Sequence, residues 1–487
     1  MKSGKLITTV LSGCLAVSLV LAPAALAADS TQTTDAAAST KAASSTDIIN
    51  EIMEYLEKYN VEGVDKDKLV RGAIDGMVDT LDDPYSQYFD ADEAAEFSHQ
   101  VDLEYVGIGV RMMYSSNDLY IEEVMPGSPA EKAGLKRGDT ILKINGVKIE
   151  DTQGDELGGK AGTKVTLLVK RNGALKTYSV VRSDIESVSV TSKILGQKVA
   201  YISISGFTQN ADEEFSAALD KMRAAGMKSL VLDLRDNTGG YMDSAYNIAS
   251  KFMDKGIMMY TSDVSGALTP VAITDGSKIG VPVVVLTNEY TASASEALTG
   301  ALRDNKLATV VGTRSFGKAR IQSLIPVSGG AQLKLTTQKY LTPNKEDFNH
   351  IGLSPDIEVQ GKTAQLITAL QLAGMTSISA SGDNHILDIN GIPFVGNVGL
   401  LKQGDKIYAS AKVLAALTES ELTWDSKSKK VIITTGAGTV YGFAQATKEG
   451  IIYNNETYIE LNAFKKKFPT ITWSYNSSQN QLKLTVK

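Results

Sequence analysis

Val283-Val284-Val285-Leu286-Thr287-Asn288-Glu289-Tyr290-Thr291-Ala292-Ser293-Ala294-Ser295-Glu296-Ala297 reads as an apolar strand, a short loop and the opening of a helix. An apolar run without alternation belongs to a strand covered on both faces. Similar runs lie at Val199 to Ile204, Leu230 to Leu234 and Ala308 to Val311. Helical stretches separate them, at Ala211 to Ala225, Met242 to Met253 and Ser293 to Asp304. Strands alternating with helices predict an α/β layered core with parallel pairing. Functional groups in such a core sit on loops beyond the strand ends.

Ser293 occupies such a place. At a helix N-terminus it lies among unpaired N–H groups and the positive end of the dipole, where an alkoxide or oxyanion is stabilised. A plain helix cap is the competing reading for one serine. Twenty-five residues on stands Lys318, in Ser315-Phe316-Gly317-Lys318. The chain has three histidines, His99, His350 and His385, none in a segment that reads as a catalytic loop, which argues against a Ser-His-Asp triad. A Ser-Lys dyad needs no histidine. Lys318 acts as a base only when neutral, so apolar neighbours must lower its pKa; Phe316, Ile321 and Leu324 are the nearby candidates. Gln322 follows four residues later, and a turn of the chain after Lys318 would let its amide oxygen hold the amine. Asp304 is too far along the helix to join them, since eleven residues span ~16 Å at 1.5 Å per residue. A glycine turn after Leu230 to Leu234, Asp233-Leu234-Arg235-Asp236-Asn237-Thr238-Gly239-Gly240, is able to aim the Gly239 N–H at the oxyanion that Ala294 N–H faces. A Ser-x-x-Lys reading of Ser315 and Lys318 requires a helix, and Phe316-Gly317 argues for a loop.

Between about 101 and 186 the pattern changes to short β runs, Tyr105 to Arg111, Leu119 to Val124, Asp139 to Ile144 and Lys164 to Val169. Tyr105-Val106-Gly107-Ile108-Gly109-Val110, with Gly127-Ser128-Pro129-Ala130-Glu131-Lys132-Ala133-Gly134-Leu135-Lys136-Arg137-Gly138-Asp139, resembles a PDZ domain. That resemblance implies that the loop from Tyr105 through Val106, Gly107, Ile108 and Gly109 to Val110 takes the C-terminal carboxylate of a polypeptide, which adds a strand to the sheet edge. Upstream, residues 46–100 carry helical spacing at Ile48, Ile49, Ile52, Met53, Leu56 and Tyr59, then from Leu69 to Leu81 before Asp82-Asp83-Pro84.

Residues 28–45 are mostly Ser, Thr and Ala without apolar periodicity, a flexible linker. Before them, Lys2 and Lys5, an apolar run from Leu6 to Leu21 and Ala25-Leu26-Ala27 read as a signal peptide over 1–27, hence an extracytoplasmic, secreted or envelope-associated protein. A lipid on Cys14 and an uncleaved anchor are the lesser readings, since residues after Cys14 stay apolar. Cys14 is the sole cysteine, so the mature chain has no thiol chemistry. Loss of two lysines takes the net charge from −7 to −9, which argues against nucleic acid as a partner.

From 371 to 487 an internal repeat appears. Ile407-Tyr408, Val413-Leu414, Trp424-Asp425 and Val431-Ile432-Ile433 are echoed by Thr457-Tyr458, Leu461, Phe464, Trp473 and Leu482-Lys483-Leu484. Each unit reads as strand, helix, strand, turn, strand. This part resembles the domain named after the N-terminal part of copper amine oxidases, an appendage of secreted bacterial enzymes. No His or Cys cluster accompanies it, so the name implies no copper.

The order of leader, helical segment, PDZ and core, over roughly Asp47 to Val359, resembles the carboxy-terminal processing peptidases, or tail-specific serine proteases. That resemblance implies a multidomain α+β fold with N-terminal helices, a β-rich PDZ domain over 101–186, an α/β layered serine peptidase core over 187–370 and the α+β repeat domain. It implies Ser293 as nucleophile, Lys318 as base, Gln322 as its assistant, Gly239 and Ala294 as oxyanion donors, and no metal or other cofactor. Polypeptides with free C-termini are the implied substrates, a homodimer through the N-terminal helices and envelope contact through the C-terminal domain the implied associations. The competing function is a catalytically silent PDZ scaffold. Thr238 and Ala319 stand where relatives carry proline and glycine, and Leu157-Gly158-Gly159-Lys160 lacks an arginine common in relatives, which puts control of activity through that position in doubt.

Overall fold

The computed structural model describes residues 44–115, 118–151, 155–171 and 173–486. The leader with Cys14, and the linker as far as residue 43, lie outside them. Two compact units divide the chain, one ending at Gly72 and the other running from Ala73 to Lys487. In the first, the helix Ser45–Tyr59 begins at Ser44, whose hydroxyl and backbone N–H form a reciprocal capping box with Asp47. Ile48, Ile49, Ile52, Leu56 and Tyr59 form an exposed apolar stripe. The helix Lys66–Asp79 follows.

The second unit contains the expected layered core. Its six-stranded sheet runs in the order Val190–Ile194, Val199–Ile204, Ser229–Asp233, Val283–Thr287, Thr309–Gly312 and Ile357–Glu358. All neighbours are parallel except the first pair. Residues alternate between the two faces. Ala200, Ile202, Ile204, Leu230, Leu232 and Val285 meet one apolar cluster with the helices Ala211–Ala224, Met242–Ala249 and Ala294–Asp304. Val199, Tyr201, Val231, Val284 and Leu286 meet another, which takes in the helix Lys362–Leu372 and continues without a break into the C-terminal repeat. Burial on both faces is why these strands read as unbroken apolar runs. The helix expected to reach Met253 ends at Ala249, where Ser250 O accepts from Ser277 N–H at 2.7 Å and so turns to a loop.

A second, five-stranded sheet was not evident from the sequence. Gln332–Leu341 pairs with Gln87–Phe89, Arg320–Pro326 and Gly256–Ser262, all antiparallel. Its strands are partly exposed and carry lysines, threonines and glutamines, so no long apolar run marks them.

The PDZ segment forms its own sheet, ordered Val110–Ser115, Asp118–Val124, Thr140–Ile144, Lys164–Arg171 and Ala174–Val181. Val110–Ser115 is an edge strand of that sheet. Gly109 has φ 77°, and a Cβ there would lie 2.3 Å from the Ser128 Cβ. Close approach of the helix cap at Ser128 therefore requires glycine. In the C-terminal repeat, Lys406–Ser410, Ala411–Leu417, Ser420–Asp425 and Lys430–Thr435 are matched by Glu456–Glu460, Leu461–Lys467, Thr472–Asn476 and Gln481–Val486. The two units pair through Tyr408 and Glu460, but the tryptophans do not correspond as the sequence suggested: counted from each hairpin turn, Trp424 opposite Val431 matches Tyr475 opposite Leu482, and Trp473 lies two residues earlier, opposite Leu484.

Candidate active site

Ser293 is the N-cap of the helix Ala294–Asp304, with φ 57° and ψ −118°. Non-glycine residues adopt such a backbone only where surrounding contacts over-determine it, at a cost of ~1–3 kcal/mol. The contacts are present on every side. Ser293 N–H donates to Glu296 Oε2 at 2.9 Å, and Ala292 N–H to Asn237 O at 3.0 Å. Tyr340 Oη lies 2.8 Å from both Ser293 O and Lys318 O, sharing one proton between two carbonyls.

Glu296 joins the two halves of the site. This buried carboxylate accepts from Ser293 N–H, from Ser315 Oγ at 2.5 Å, from Gly317 N–H at 2.7 Å and from Lys318 N–H at 2.8 Å. Burial pushes its pKa above the ordinary range, while the four donors oppose that shift. Three of those partners are backbone N–H groups, which only donate, so they match an ionised acceptor. The pair expected from the sequence is thus bound together by a residue that the sequence reading left in the background. The signal was there in Ser293-x-x-Glu296, a capping-box pattern. Tyr340 had no such signal, because its contact arrives from a different sheet.

The glycine turn lies against the serine. A Cβ on Gly239 would sit 2.8 Å from Ser293 Cβ, 3.0 Å from Ala292 O and 3.2 Å from Ala294 N, and its φ is 109°. Asn237 organises this turn. Its carbonyl accepts from Ala292 N–H and from Ser295 Oγ, and its amide donates to Ile204 O at 2.9 Å. Asn237 Oδ1 accepts the Gly239 N–H at 2.9 Å. As first residue of the helix, Ala294 has no intrahelical acceptor for its N–H. Below the turn, Arg235 and Asp233 form a buried ion pair with Nε at 2.9 Å from Oδ1, and Tyr201 Oη donates to Asp233 Oδ2 at 2.7 Å. Gly239→Ala is expected to lower kcat/KM at least ~10-fold by displacing Ser293, and to lower stability by ~1–3 kcal/mol. Steady-state kinetics and a thermal melt of the same sample check it.

Lys318 lies on the loop before the strand Arg320–Pro326. Burial brings its pKa below the ordinary lysine range, and the nearby Lys334 cation adds to that, against Asp83 and Glu296. The burying groups differ in part from those read in the sequence, Ile321 alone of the three being partly buried against the core. Phe316 is 54% exposed and Leu324 39% exposed. Tyr85 takes their place, with Lys318 Nζ 4.9 Å from its ring centroid. Gln322 donates through Nε2 to Thr336 Oγ1 at 3.0 Å. Among the described residues no hydrogen bond joins Lys318 Nζ to Ser293 Oγ or to Gln322. Ser293, Ala294, Gly239 and the Lys318 loop therefore meet in one place, with Gln322 on the strand that leads away from it.

Ser295 is fully buried and donates to Asn237 O at 3.0 Å, a structural part. Asp304 accepts from Asn344 N–H at 2.9 Å and pairs with Arg303 at 3.0 Å, at the far end of the helix. Tyr105, Val106 and Gly107 lie on the strand Glu104–Gly107, paired with Ser183–Glu186, while Val110 starts the edge strand after Ile108 and Gly109. Arg182 donates to the carbonyls of Leu157 and Glu156, at 3.2 and 2.6 Å, and so holds the loop in which Gly158 stands where relatives carry an arginine.

Residues 198–359 match the model of peptidase family S41, 120–171 that of the PDZ domain, and 13–93 that of the activating protease CtpB N-terminal domain. The chain is 36% identical over 327 residues to the carboxy-terminal processing protease CtpB of Bacillus subtilis, covering 64% of this chain and 68% of that protein. It is 33% identical over 320 residues to CtpA of the same organism, covering 64% and 69%. Among solved structures, the photosystem II D1 C-terminal processing protease is similar with a TM-score of 0.45 and 29% identity, over 67% of this chain and 90% of that one. The fold and the matched segments define a serine-type peptidase with a PDZ domain. The chain belongs to the carboxy-terminal processing proteases.

Proposed function

We propose that this chain is an extracytoplasmic endopeptidase in which Ser293 is the nucleophile, Lys318 the base and Gln322 its assistant. The observation that carries the reading is the single buried carboxylate of Glu296, bonded to the backbone of both Ser293 and Lys318. Ser293 Oγ attacks the peptide carbonyl as its proton passes to neutral Lys318 Nζ. The resulting ammonium returns the proton to the leaving amine, and the C–N bond breaks to give an acyl-enzyme. Water, deprotonated by the same amine, releases the acid and restores the serine. Ala294 N–H faces the oxyanion, and Gly239 N–H joins it by exchanging its bond to Asn237 Oδ1. No cofactor enters this chemistry.

The loop Tyr105 to Val110 is the proposed dock for the free C-terminus of a polypeptide substrate, with the edge strand Val110–Ser115 pairing to its backbone. The apolar stripe of the helix Ser45–Tyr59 is the proposed homodimer face. The C-terminal repeat, similar to the copper amine oxidase N-terminal domain, is proposed to contact the cell envelope, and residues 1–27 to direct export.

An unfolded protein offered with a free or an amidated C-terminus tests both halves of this reading. Internal fragments should form, and amidation should slow their formation by ~10-fold, the effect of losing one charge-assisted set of hydrogen bonds. Intact substrate in every sample contradicts the peptidase reading, and equal rates contradict tail docking. The rate should rise with pH as Lys318 loses its proton, with the acid limb below the pKa of a free lysine, in keeping with its burial.

A further inference from the structure

Asp82-Asp83-Pro84 marks the stop of a helix in the sequence, yet the residues that follow, Tyr85 and Ser86, reach toward the base and its assistant. We propose that the segment Asp83 to Ser86 is a positioning element for catalysis, Tyr85 setting the place of the Lys318 amine and Ser86 the orientation of Gln322. It rests on the Ser-Lys reading above.

Two separate sets of contacts support it. The first is the Tyr85 ring, 4.9 Å from Lys318 Nζ, which takes the place of the exposed Phe316 and Leu324 in shielding the amine. The second is a hydrogen-bonded chain. Ser86 Oγ donates to Asp83 Oδ2 at 2.5 Å and accepts Thr336 N–H at 3.0 Å. Thr336 Oγ1 in turn accepts from Gln322 Nε2 at 3.0 Å. With its NH2 group so engaged, Gln322 keeps Oε1 without a partner among the described residues, the one atom of the amide able to accept from the Lys318 ammonium. Continuity of the backbone fixes the segment in register, since the next residues, Gln87–Phe89, pair with Gln332–Leu341 from Gln87 opposite Lys334.

The charged and titratable groups around Lys318 come from four elements. Asp83 and Tyr85 belong to the segment, Glu296 to the serine helix, Lys334 to the strand Gln332–Leu341, and Arg320 to the strand that follows the Lys318 loop, beside Tyr85. Lys334 is itself held in place, its Nζ 4.8 Å from the Phe97 ring and 5.2 Å from that of Phe89. Burial raises the Asp83 carboxyl, but hydrogen bonds from the Ser86 and Thr336 side chains outweigh it and leave Asp83 ionised and below its ordinary range.

Removing the ring has two opposed effects on Lys318. Loss of the cation–π contact favours the neutral amine, whereas water entering the gap hydrates the ammonium. Hydration prevails, because burial is the largest cause of the lowered pKa. Tyr85→Ala is therefore expected to move the acid limb of kcat/KM to higher pH by ~0.5–1 unit. Its kcat should fall roughly 10- to 100-fold with KM little changed, as for a misplaced catalytic group. Tyr85→Phe keeps the ring and should stay within about twofold of the parent. Ser86→Ala should lower kcat ~10-fold and leave the acid limb in place, since it disturbs only the chain to Gln322. If Tyr85→Ala melts below the assay temperature, Tyr85→Gln admits water equally and carries the same expected shift.

Ser293→Ala and Lys318→Ala in the same assay keep the two claims apart. Cleavage by those variants overturns the dyad. Inert dyad variants beside a Tyr85→Ala protein with the parent's kcat and acid limb leave the dyad standing and overturn the role of the segment. A loss equal for Tyr85→Phe and Tyr85→Ala at every pH also overturns it, because the effect would then lie in the hydroxyl and not in the ring that faces Lys318.

Discussion

Ser293→Ala is expected to lower kcat/KM for an unfolded protein substrate by ~10⁵-fold or more, the scale at which removal of a serine nucleophile abolishes acyl transfer. The fold should be kept. The turn is maintained by the Ser293 N–H to Glu296 and by Tyr340 Oη to the Ser293 carbonyl. Alanine preserves both backbone contacts. The variant should therefore melt within a few degrees of the parent, and relief of crowding at the positive φ is not expected, because Cβ remains. Ser295→Ala is the matched control. Its hydroxyl donates to Asn237 O, so its loss leaves a carbonyl with one donor fewer and a small effect on rate. Cleavage kinetics of the two variants, measured together, distinguish the two serines of the motif.

Glu296→Gln is expected to approach the first effect from outside the reacting groups, with a loss of ~10³-fold in kcat/KM, about that of removing a general base. The reason is the donor count around the carboxylate. Three backbone N–H groups and the Ser315 hydroxyl all converge on it. Glutamine offers one oxygen and turns an NH2 toward donors of which only the Ser315 hydroxyl can also accept. At least one buried N–H loses its partner, at ~1–3 kcal/mol, and the serine turn and base loop separate. The melting temperature should fall as well, unlike that of Ser293→Ala. Glu296→Asp keeps the charge and shortens the reach, and should recover part of the stability but little of the rate. A variant with unchanged kinetics would show that the two segments hold their places without this carboxylate.

Much of this arrangement was legible in the chain. The parallel core was readable because its strands are covered on both faces, which leaves an apolar run such as Val283 to Leu286 with no alternation to confuse it. Ser293, the glycine turn and the PDZ loop were readable because each is local: a helix start, two adjacent glycines, a glycine-rich strand entry. What escaped was non-local. Tyr85 and Tyr340 reach Lys318 from segments more than twenty residues away in the chain, Tyr85 from a turn and Tyr340 from a strand whose mixed polarity hides it. The Asp83 to Ser86 segment was visible only as a proline that ends a helix. Phe316 illustrates the converse error, since nearness in sequence suggested shielding that its exposed side chain does not provide.

Acid-quenched mixing of the full chain with a peptide substrate, followed by peptide mapping of the protein, tests the central claim most directly. The account predicts an acyl group on Ser293 that appears before the first turnover and is lost with Lys318→Ala. Steady turnover without an acyl group on Ser293, or an acyl group on Ser295, would contradict it.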